Sequence, residues 1–270
     1  MSLFDQTGWR IPSEVHRTFS NSKTNYYKLN QLINPYEKVF SNSVKYFPTL
    51  KDIHYDSFLS NLNLLKEEIS QNNDYKNLLN SPFYSFLIPK NNNKVDIGEQ
   101  LENYLLLSVE QAFKDEFPEF HFKKTIQNNE SLINNLSVSE LSRYQKLIDI
   151  NNDNIVCGFY FPEALSGFDI PSQKKQMIDL PAFENICLSG ALDICSALIG
   201  NPQMLVHKET YSPMICLTSL NHKDRRISCL FKSYGPHLEF WGLGNQLIPG
   251  VDQVSEQWTG GLSFYKVISK

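Results

Sequence analysis

The sequence predicts an α+β fold, in which a helical N-terminal half packs on a C-terminal, largely antiparallel sheet with one central buried helix. Three observations support this prediction. Residues 1–150 show helical apolar spacing with matching start and stop signals, whereas residues 151–270 contain β-rich runs. One long apolar helix pattern lies among those runs. The strands do not alternate with helices as they do in α/β folds, so an α+β arrangement is favoured.

The helices expected in the N-terminal half follow from apolar spacing, caps and prolines. Residues 22–33 and 36–47 each fit a helix that is followed closely by a proline, which cannot continue it. Capping-box patterns at 96–99 and 137–140 predict the starts of two further helices. In residues 56–72, four apolar side chains recur on one helix face: Phe58, Leu62, Leu65 and Ile69.

The central helix is predicted over residues 179–202. Asp179 is suited to cap its first turn, and Pro181 is suited to the first turn itself, where an absent N–H costs nothing. Gly200 fits the left-handed position that follows a helix, and Pro202 would prevent the helix from resuming. The residues between these ends are apolar over most of the circumference, so the helix must be covered from several sides.

The strands are predicted from short apolar or β-branched runs at 83–88, 117–122, 155–161, 214–220 and 262–268, and from a hairpin over 226–242. We expect the hairpin to close with a four-residue loop, so that Lys232 lies opposite His237. Strand alternation then places His237, Glu239 and Trp241 on one face, opposite an apolar face.

Composition limits the classes of function and partner. The 270 residues are 41% hydrophobic and 20% charged, with a formal charge of −4, as is typical of a soluble globular protein. No basic stripe or tail is present, so nucleic acid is not expected as a partner. No export signal and no bilayer-length apolar run is present, so we expect a cytoplasmic protein that does not engage a membrane. A homo-oligomer is compatible with this composition.

The five cysteines lie in apolar runs without a CxxC pair, which predicts reduced, buried thiols. The histidines lack the close spacing of a ligand pair, so no metal site is predicted. No motif identifies a cofactor, whose nature the sequence leaves unknown. The charged run at 223–226 suits either an anion site formed by its two arginines or a solvated hairpin tip.

His237, Glu239 and Trp241 are the candidate ligand-binding residues, together with Tyr234 at the hairpin tip. A histidine that titrates near neutrality, a carboxylate that tunes it and an aromatic ring that stacks on a flat ligand would suit a cleft wall. The alternative is a half-solvated sheet face, which strand alternation produces without any site.

Asp193 is the secondary candidate. A carboxylate is costly to bury unpaired, so within this apolar helix it must reach solvent, a hydrogen-bond network or a ligand. The pattern favours solvent, because three polar residues share its stripe on the predicted helix: Asn185, Ser189 and Ser196.

Three functions remain open on the sequence. A ligand-binding or sensing module is favoured, because no catalytic constellation stands out. The alternatives are an enzyme that uses His237 and Glu239 for acid–base chemistry on a small substrate, and a protein that acts through protein–protein interaction. We expect residues 1–150 and 151–270 to share one core, because one sheet cannot cover a helix that is apolar on so much of its circumference.

Overall fold

The computed structural model describes residues 2–12, 27, 29, 31, 35–91, 94–206, 211–235, 237–244 and 257–268. These residues form an α+β fold in which helices dominate the N-terminal half and strands the C-terminal half, as the sequence predicts. The helix predicted at 22–33 falls almost entirely outside the described residues.

The α-helices of the described residues are α1 (Tyr36–Tyr46), α2 (Tyr55–Gln71), α3 (Ile97–Gln100), α4 (Leu106–Glu116), α5 (Tyr144–Asn151), α6 (Ile170–Asp179) and α7 (Ala191–Gly200). A π-helical turn, Leu101–Leu105, joins α3 to α4. Short 3₁₀ turns lie at Pro48–Leu50, Lys76–Asn80, Gln127–Asn129, Glu140–Ser142 and Pro162–Leu165.

The strands are β1 (Tyr84–Ile88), β2 (His121–Ile126), β3 (Leu136–Val138), β4 (Val156–Phe161), β5 (Ile186–Leu188), β6 (Met214–Cys216), β7 (Leu220–His222), β8 (Ile227–Tyr234), β9 (His237–Gly244), β10 (Trp258–Thr259) and β11 (Leu262–Val267). Within the described residues they divide among three sheets. One is antiparallel, in the order β1-β4-β11-β5, and a second has the order β10-β6-β8-β9-β2. The third pairs β3 with β7. In the second sheet β8 is antiparallel to both of its neighbours, β6 and β9. The two edge strands pair in parallel, β10 with β6 and β2 with β9.

Helix α2 and the start of α3 form for the reasons that the sequence gives. All four predicted apolar residues of α2 are fully buried. Asp96 caps α3, because its side chain accepts hydrogen bonds from the backbone N–H groups of Gly98 and Glu99. The second capping-box prediction is wrong: residues 137 and 138 belong to β3, and α5 begins later, at Tyr144, after Arg143 in a left-handed conformation (φ 58°).

The central helix is shorter than predicted. Helix α7 has ten residues, and all ten are buried, which confirms the central buried helix but not its start at Asp179. Asp179 instead ends α6, and residues 186–188 form β5, which pairs with β11. The prediction failed because an apolar run shows the same composition whether it is a buried strand or a buried helix.

Gly200 also has a different role from the one predicted. It is the last residue of α7 and does not have a positive φ. Asn201 caps the end of the helix, and its Nδ2 donates to the carbonyl oxygens of Ala197 (2.9 Å) and Ser85 (3.2 Å). A Cβ at Gly200 would lie 2.6 Å from Val39 Cγ1, so the glycine allows α1 to approach α7 closely.

Most of the cover of α7 comes from the N-terminal half. Helix α7 contacts α1, α4 and β1, whereas α2 packs on β4 and β11. One buried apolar cluster contains residues from both halves of the chain, among them Leu62, Leu105, Ile194 and Phe264. Among the described helices, none combines the length and the apolar character that crossing a membrane requires.

All five cysteines are buried and free, as predicted. Burial raises the pKa of the Cys157, Cys216 and Cys229 thiols to about 12, so the reactive thiolate is scarce at neutral pH.

We expect Ellman's reagent to titrate almost no thiol in the native protein and five after denaturation without reductant. Fewer than five in the denatured sample would reveal an oxidised or modified cysteine.

Candidate functional site

The predicted hairpin register is wrong by two positions, but the predicted faces are right. Tyr234 lies opposite His237, so the connecting loop has two residues rather than four. Gly235 has φ 55°, the left-handed conformation that tight hairpin turns use. Because a shift of two residues preserves strand alternation, His237, Glu239 and Trp241 still share one face of β9; we call these three residues the β9 row.

Glu239 is engaged by two neighbours on this face. Trp241 Nε1 donates to Glu239 Oε2 at 2.6 Å, and Lys232 Nζ lies 3.3 Å from the same oxygen. The Lys232 ammonium also lies 3.6 Å from the centre of the Trp241 ring, a cation–π distance. The side chains of Lys232 and Glu239 are only 17% and 16% exposed. Glu239 therefore neutralises Lys232 and fixes the Trp241 ring.

His237 is paired with a histidine that the sequence did not suggest. Its ring stacks on that of His121, with 5.1 Å between ring centres and 14° between planes. The two residues lie opposite each other in the parallel pairing of β2 with β9. His237 Nδ1 is buried and has no hydrogen-bond partner among the described residues. The local sequence carries no signal for this contact, because β2 precedes β9 by more than 100 residues.

Tyr234 stands at the exposed end of the hairpin, with 62% of its surface accessible. Its ring centre lies 6.4 Å from that of Tyr211, which is itself 6.4 Å from Tyr27. These three tyrosines and Lys232 help to line a small cavity of about 200 Å³. The hairpin tip is thus an aromatic surface beside the β9 row.

Asp193 does not reach solvent, so the solvent interpretation of this residue was wrong. It is fully buried, and its Oδ1 accepts from the Gly190 N–H and the Tyr144 hydroxyl, both at 2.9 Å. Its Oδ2 accepts from the Ser263 hydroxyl, which also contacts the Ser189 hydroxyl at 2.9 Å. The carboxylate therefore lies in a hydrogen-bond network, the second of the three alternatives that the sequence left open.

This network surrounds the start of α7. The Asp193 carboxylate caps the helix by accepting the N–H of Gly190, and the Tyr144 oxygen accepts the Leu192 N–H at 2.7 Å. Burial raises the pKa of Asp193, and its hydrogen bonds partly oppose that rise. Burial also raises the pKa of Tyr144, so its hydroxyl stays protonated and remains a donor. The geometry is that of a structural helix start.

A concave site lies elsewhere, between the first half of α6 and the strands β3, β7 and β8. Its volume is about 540 Å³, and we call it the α6–β8 pocket. Apolar side chains form one part of its wall: Leu136, Ile170, Leu217, Leu220 and Ile227. Five residues with hydrogen-bond donors form another part: Lys174, Asn221, His222, Lys223 and Arg225.

The polar side chains of the pocket are held in defined positions. Lys174 Nζ donates to Asn221 Oδ1, which links α6 to β7. His222 Nδ1 accepts the backbone N–H of Asp224 at 3.0 Å, so in the neutral ring Nε2 carries the proton and is a donor. Burial lowers the pKa of Lys174 from its ordinary value, because its ammonium has lost part of its hydration.

Sequence reasoning found only one side of this pocket. The charged run at 223–226 marks the loop between β7 and β8. Of the two arginines that its anion-binding alternative invoked, Arg225 lines the pocket, whereas Arg226 pairs with Asp224 outside the wall. Lys174 was not suggested, because it comes from α6, some 50 residues earlier in the chain. Only the tertiary structure brings the three cations to one cavity.

No cluster of three potential metal-ligating side chains occurs within the part of the chain that the structure describes. Comparison of this chain with protein-family models, with curated proteins and with solved structures gives no match.

Proposed function

We propose that this protein binds a small molecule in the α6–β8 pocket. The observation that supports the proposal is a cavity of about 540 Å³ in which apolar walls meet converging hydrogen-bond donors. Small-molecule sites commonly have volumes of roughly 300–1,000 Å³ and combine apolar walls with a few placed polar groups. The pocket has both properties.

Catalysis by His237 and Glu239 is less well supported. Acid–base work needs groups that can exchange protons with a substrate, whereas Glu239 already accepts from Trp241 and pairs with Lys232. Tyr234 and the β9 row remain the alternative binding surface, because Tyr234 borders the cavity of about 200 Å³.

We expect the substitution Ser137→Trp to abolish small-molecule binding. Ser137 is an exposed residue of β3 in the pocket wall, with its Oγ 3.5 Å from the Asn221 carbonyl oxygen. An indole there would fill the pocket mouth from the solvent side. A screen of anionic and uncharged compounds by thermal unfolding measures the effect. A compound at about 100 times its Kd should stabilise the wild type by about 2.7 kcal/mol, and Ser137→Trp should lose that shift.

Two variants control this experiment. Ser137→Ala removes the hydroxyl without filling the pocket, so it should retain the wild-type shift. Tyr234→Ala alters the alternative surface and should also retain it. If no compound stabilises the wild type, or if binding survives in Ser137→Trp and is lost in Tyr234→Ala, the α6–β8 pocket is not the binding site.

A further inference from the structure

We infer that the α6–β8 pocket binds a small organic dianion, a phosphate monoester or a dicarboxylate with an apolar body. This inference rests on the proposed function, because it names the ligand class of the same pocket. It is carried by the charge, the pairing and the donor geometry of the wall.

The wall of the α6–β8 pocket is positively charged. Lys174, Lys223 and Arg225 line the pocket, and no aspartate or glutamate occurs among its described lining residues. The whole chain has a formal charge of −4, so this concentration of cations runs against the average. Two other cavities, of about 510 and 480 Å³, have one lysine each in their described walls, Lys66 and Lys90. Cation density therefore distinguishes the α6–β8 pocket from cavities of similar size.

The three pocket cations have no carboxylate partner among the described residues. Among the described residues, no carboxylate oxygen lies within 4 Å of the side-chain nitrogens of Lys174, Lys223 or Arg225. The neighbouring Arg226 behaves differently: it donates from Nε and from a terminal nitrogen to Asp224, at 3.0 and 2.7 Å. The loop thus pairs the arginine outside the pocket with a carboxylate and leaves its two pocket cations for a ligand.

The neutral polar side chains of the pocket also present hydrogen-bond donors. Asn221 uses Oδ1 to accept from Lys174, so its Nδ2 is left as a donor. His222 uses Nδ1 to accept a backbone N–H, so its Nε2–H is also left as a donor. With the three cations, these groups offer only donors to a ligand. Such a set matches the acceptor oxygens of a phosphate or of two carboxylates, and charge-assisted hydrogen bonds are the strong class.

The partial burial of Lys174 supports the same ligand class. Its ammonium is partly buried and has an amide oxygen as its described partner, and burial alone disfavours the charged form. A bound anion would compensate for the lost hydration, because an opposite charge at close range favours the ammonium. The apolar wall beside it, which includes Ile170 and Leu217, calls for a ligand with an apolar portion.

Isothermal titration calorimetry at constant ionic strength tests the inference. The probes are phenyl phosphate, inorganic phosphate, succinate and the uncharged succinamide. We expect phenyl phosphate or succinate to bind the wild type, and succinamide not to bind. Binding of phenyl phosphate alone assigns a phosphate ester, and binding of succinate alone assigns a dicarboxylate.

The double variant Lys223→Gln/Arg225→Gln should weaken binding at least about tenfold, which is the effect of losing roughly 1.4 kcal/mol.

The matched control is Arg226→Gln, which removes a cation from the same loop but outside the pocket wall, and it should leave the affinity unchanged. The charge-preserving pair Lys223→Arg/Arg225→Lys should retain most of the affinity, which separates lost charge from a damaged loop. Unchanged affinity in Lys223→Gln/Arg225→Gln, or no binding of any anionic probe to the wild type, would overturn the inference.

Failure of the anionic ligand class and failure of the pocket as the binding site give different results. If no anionic probe binds, but uncharged compounds stabilise the wild type and Ser137→Ala and not Ser137→Trp, the pocket binds small molecules and only the anionic class is wrong. If phenyl phosphate binds Ser137→Trp as well as the wild type, its site lies outside the pocket, and both the location and the ligand class fail.

Discussion

Replacing Asp193 by alanine is expected to lower the free energy of unfolding by about 3–5 kcal/mol. The substitution leaves the Gly190 N–H and the Tyr144 hydroxyl buried without their acceptor and removes the cap of α7. Each buried donor without a partner costs about 1–3 kcal/mol, and the lost cap and the vacated volume add to that cost. Urea denaturation followed by circular dichroism measures the change.

Asp193→Asn is the matched variant and should cost far less. The asparagine Oδ1 can accept from Gly190 and Tyr144, and its Nδ2 can donate to the Ser263 hydroxyl. Ser263 can then donate to Ser189, because either hydroxyl of that pair can serve as the donor. Asp115→Ala, which removes an exposed carboxylate on α4, serves as the surface control and should change the denaturation midpoint little. A loss in Asp193→Ala no greater than in Asp115→Ala would show that the network does not stabilise the fold.

The same network predicts a pH dependence. Burial raises the folded-state pKa of Asp193 above its ordinary value. As pH rises above about 4, the ordinary aspartate pKa, the unfolded chain releases this proton before the folded chain does. The folded state then holds more protons, so the free energy of unfolding falls as pH rises through this window. We expect the wild type to lose stability relative to Asp193→Asn from about pH 4 upwards; the opposite slope would contradict the assignment.

A fragment of residues 151–270 is expected not to fold on its own. Its β4 would lose the antiparallel partner β1, and β9 would lose the parallel partner β2. Helix α7, buried at all ten positions, would lose its contacts with α1 and α4. An apolar helix without cover and two open strand edges favour aggregation or a molten state. Circular dichroism and amide NMR should show no cooperative unfolding transition and poorly dispersed resonances.

Co-expression with residues 1–150 is the control for this experiment, because it returns every lost partner without the peptide bond between the halves. A co-purified complex with a cooperative transition would support a core shared by both halves. Dispersed resonances and cooperative unfolding from the isolated 151–270 fragment would instead show that the C-terminal half has a sufficient core of its own.

The candidate residues illustrate which contacts a sequence can predict. The alternation that places His237, Glu239 and Trp241 on one face is local, and it survives an error of two residues in the register. The contact of His237 with His121 depends on parallel pairing between distant strands, which no local pattern encodes. Asp193 was assigned to solvent because helical periodicity identifies a polar stripe but does not identify the groups that pack against it.

The sequence by itself determined the α+β class, the buried face of α2, the two faces of the hairpin and the burial of the cysteines. Each follows from periodicity or composition within one segment, where side-chain spacing and secondary structure are directly linked. Tertiary structure decided the start of α7, because only pairing with β11 distinguishes the strand at 186–188 from more helix. It also decided the burial of Asp193 and the α6–β8 pocket, because both depend on side chains from separate segments that meet only when the chain is packed.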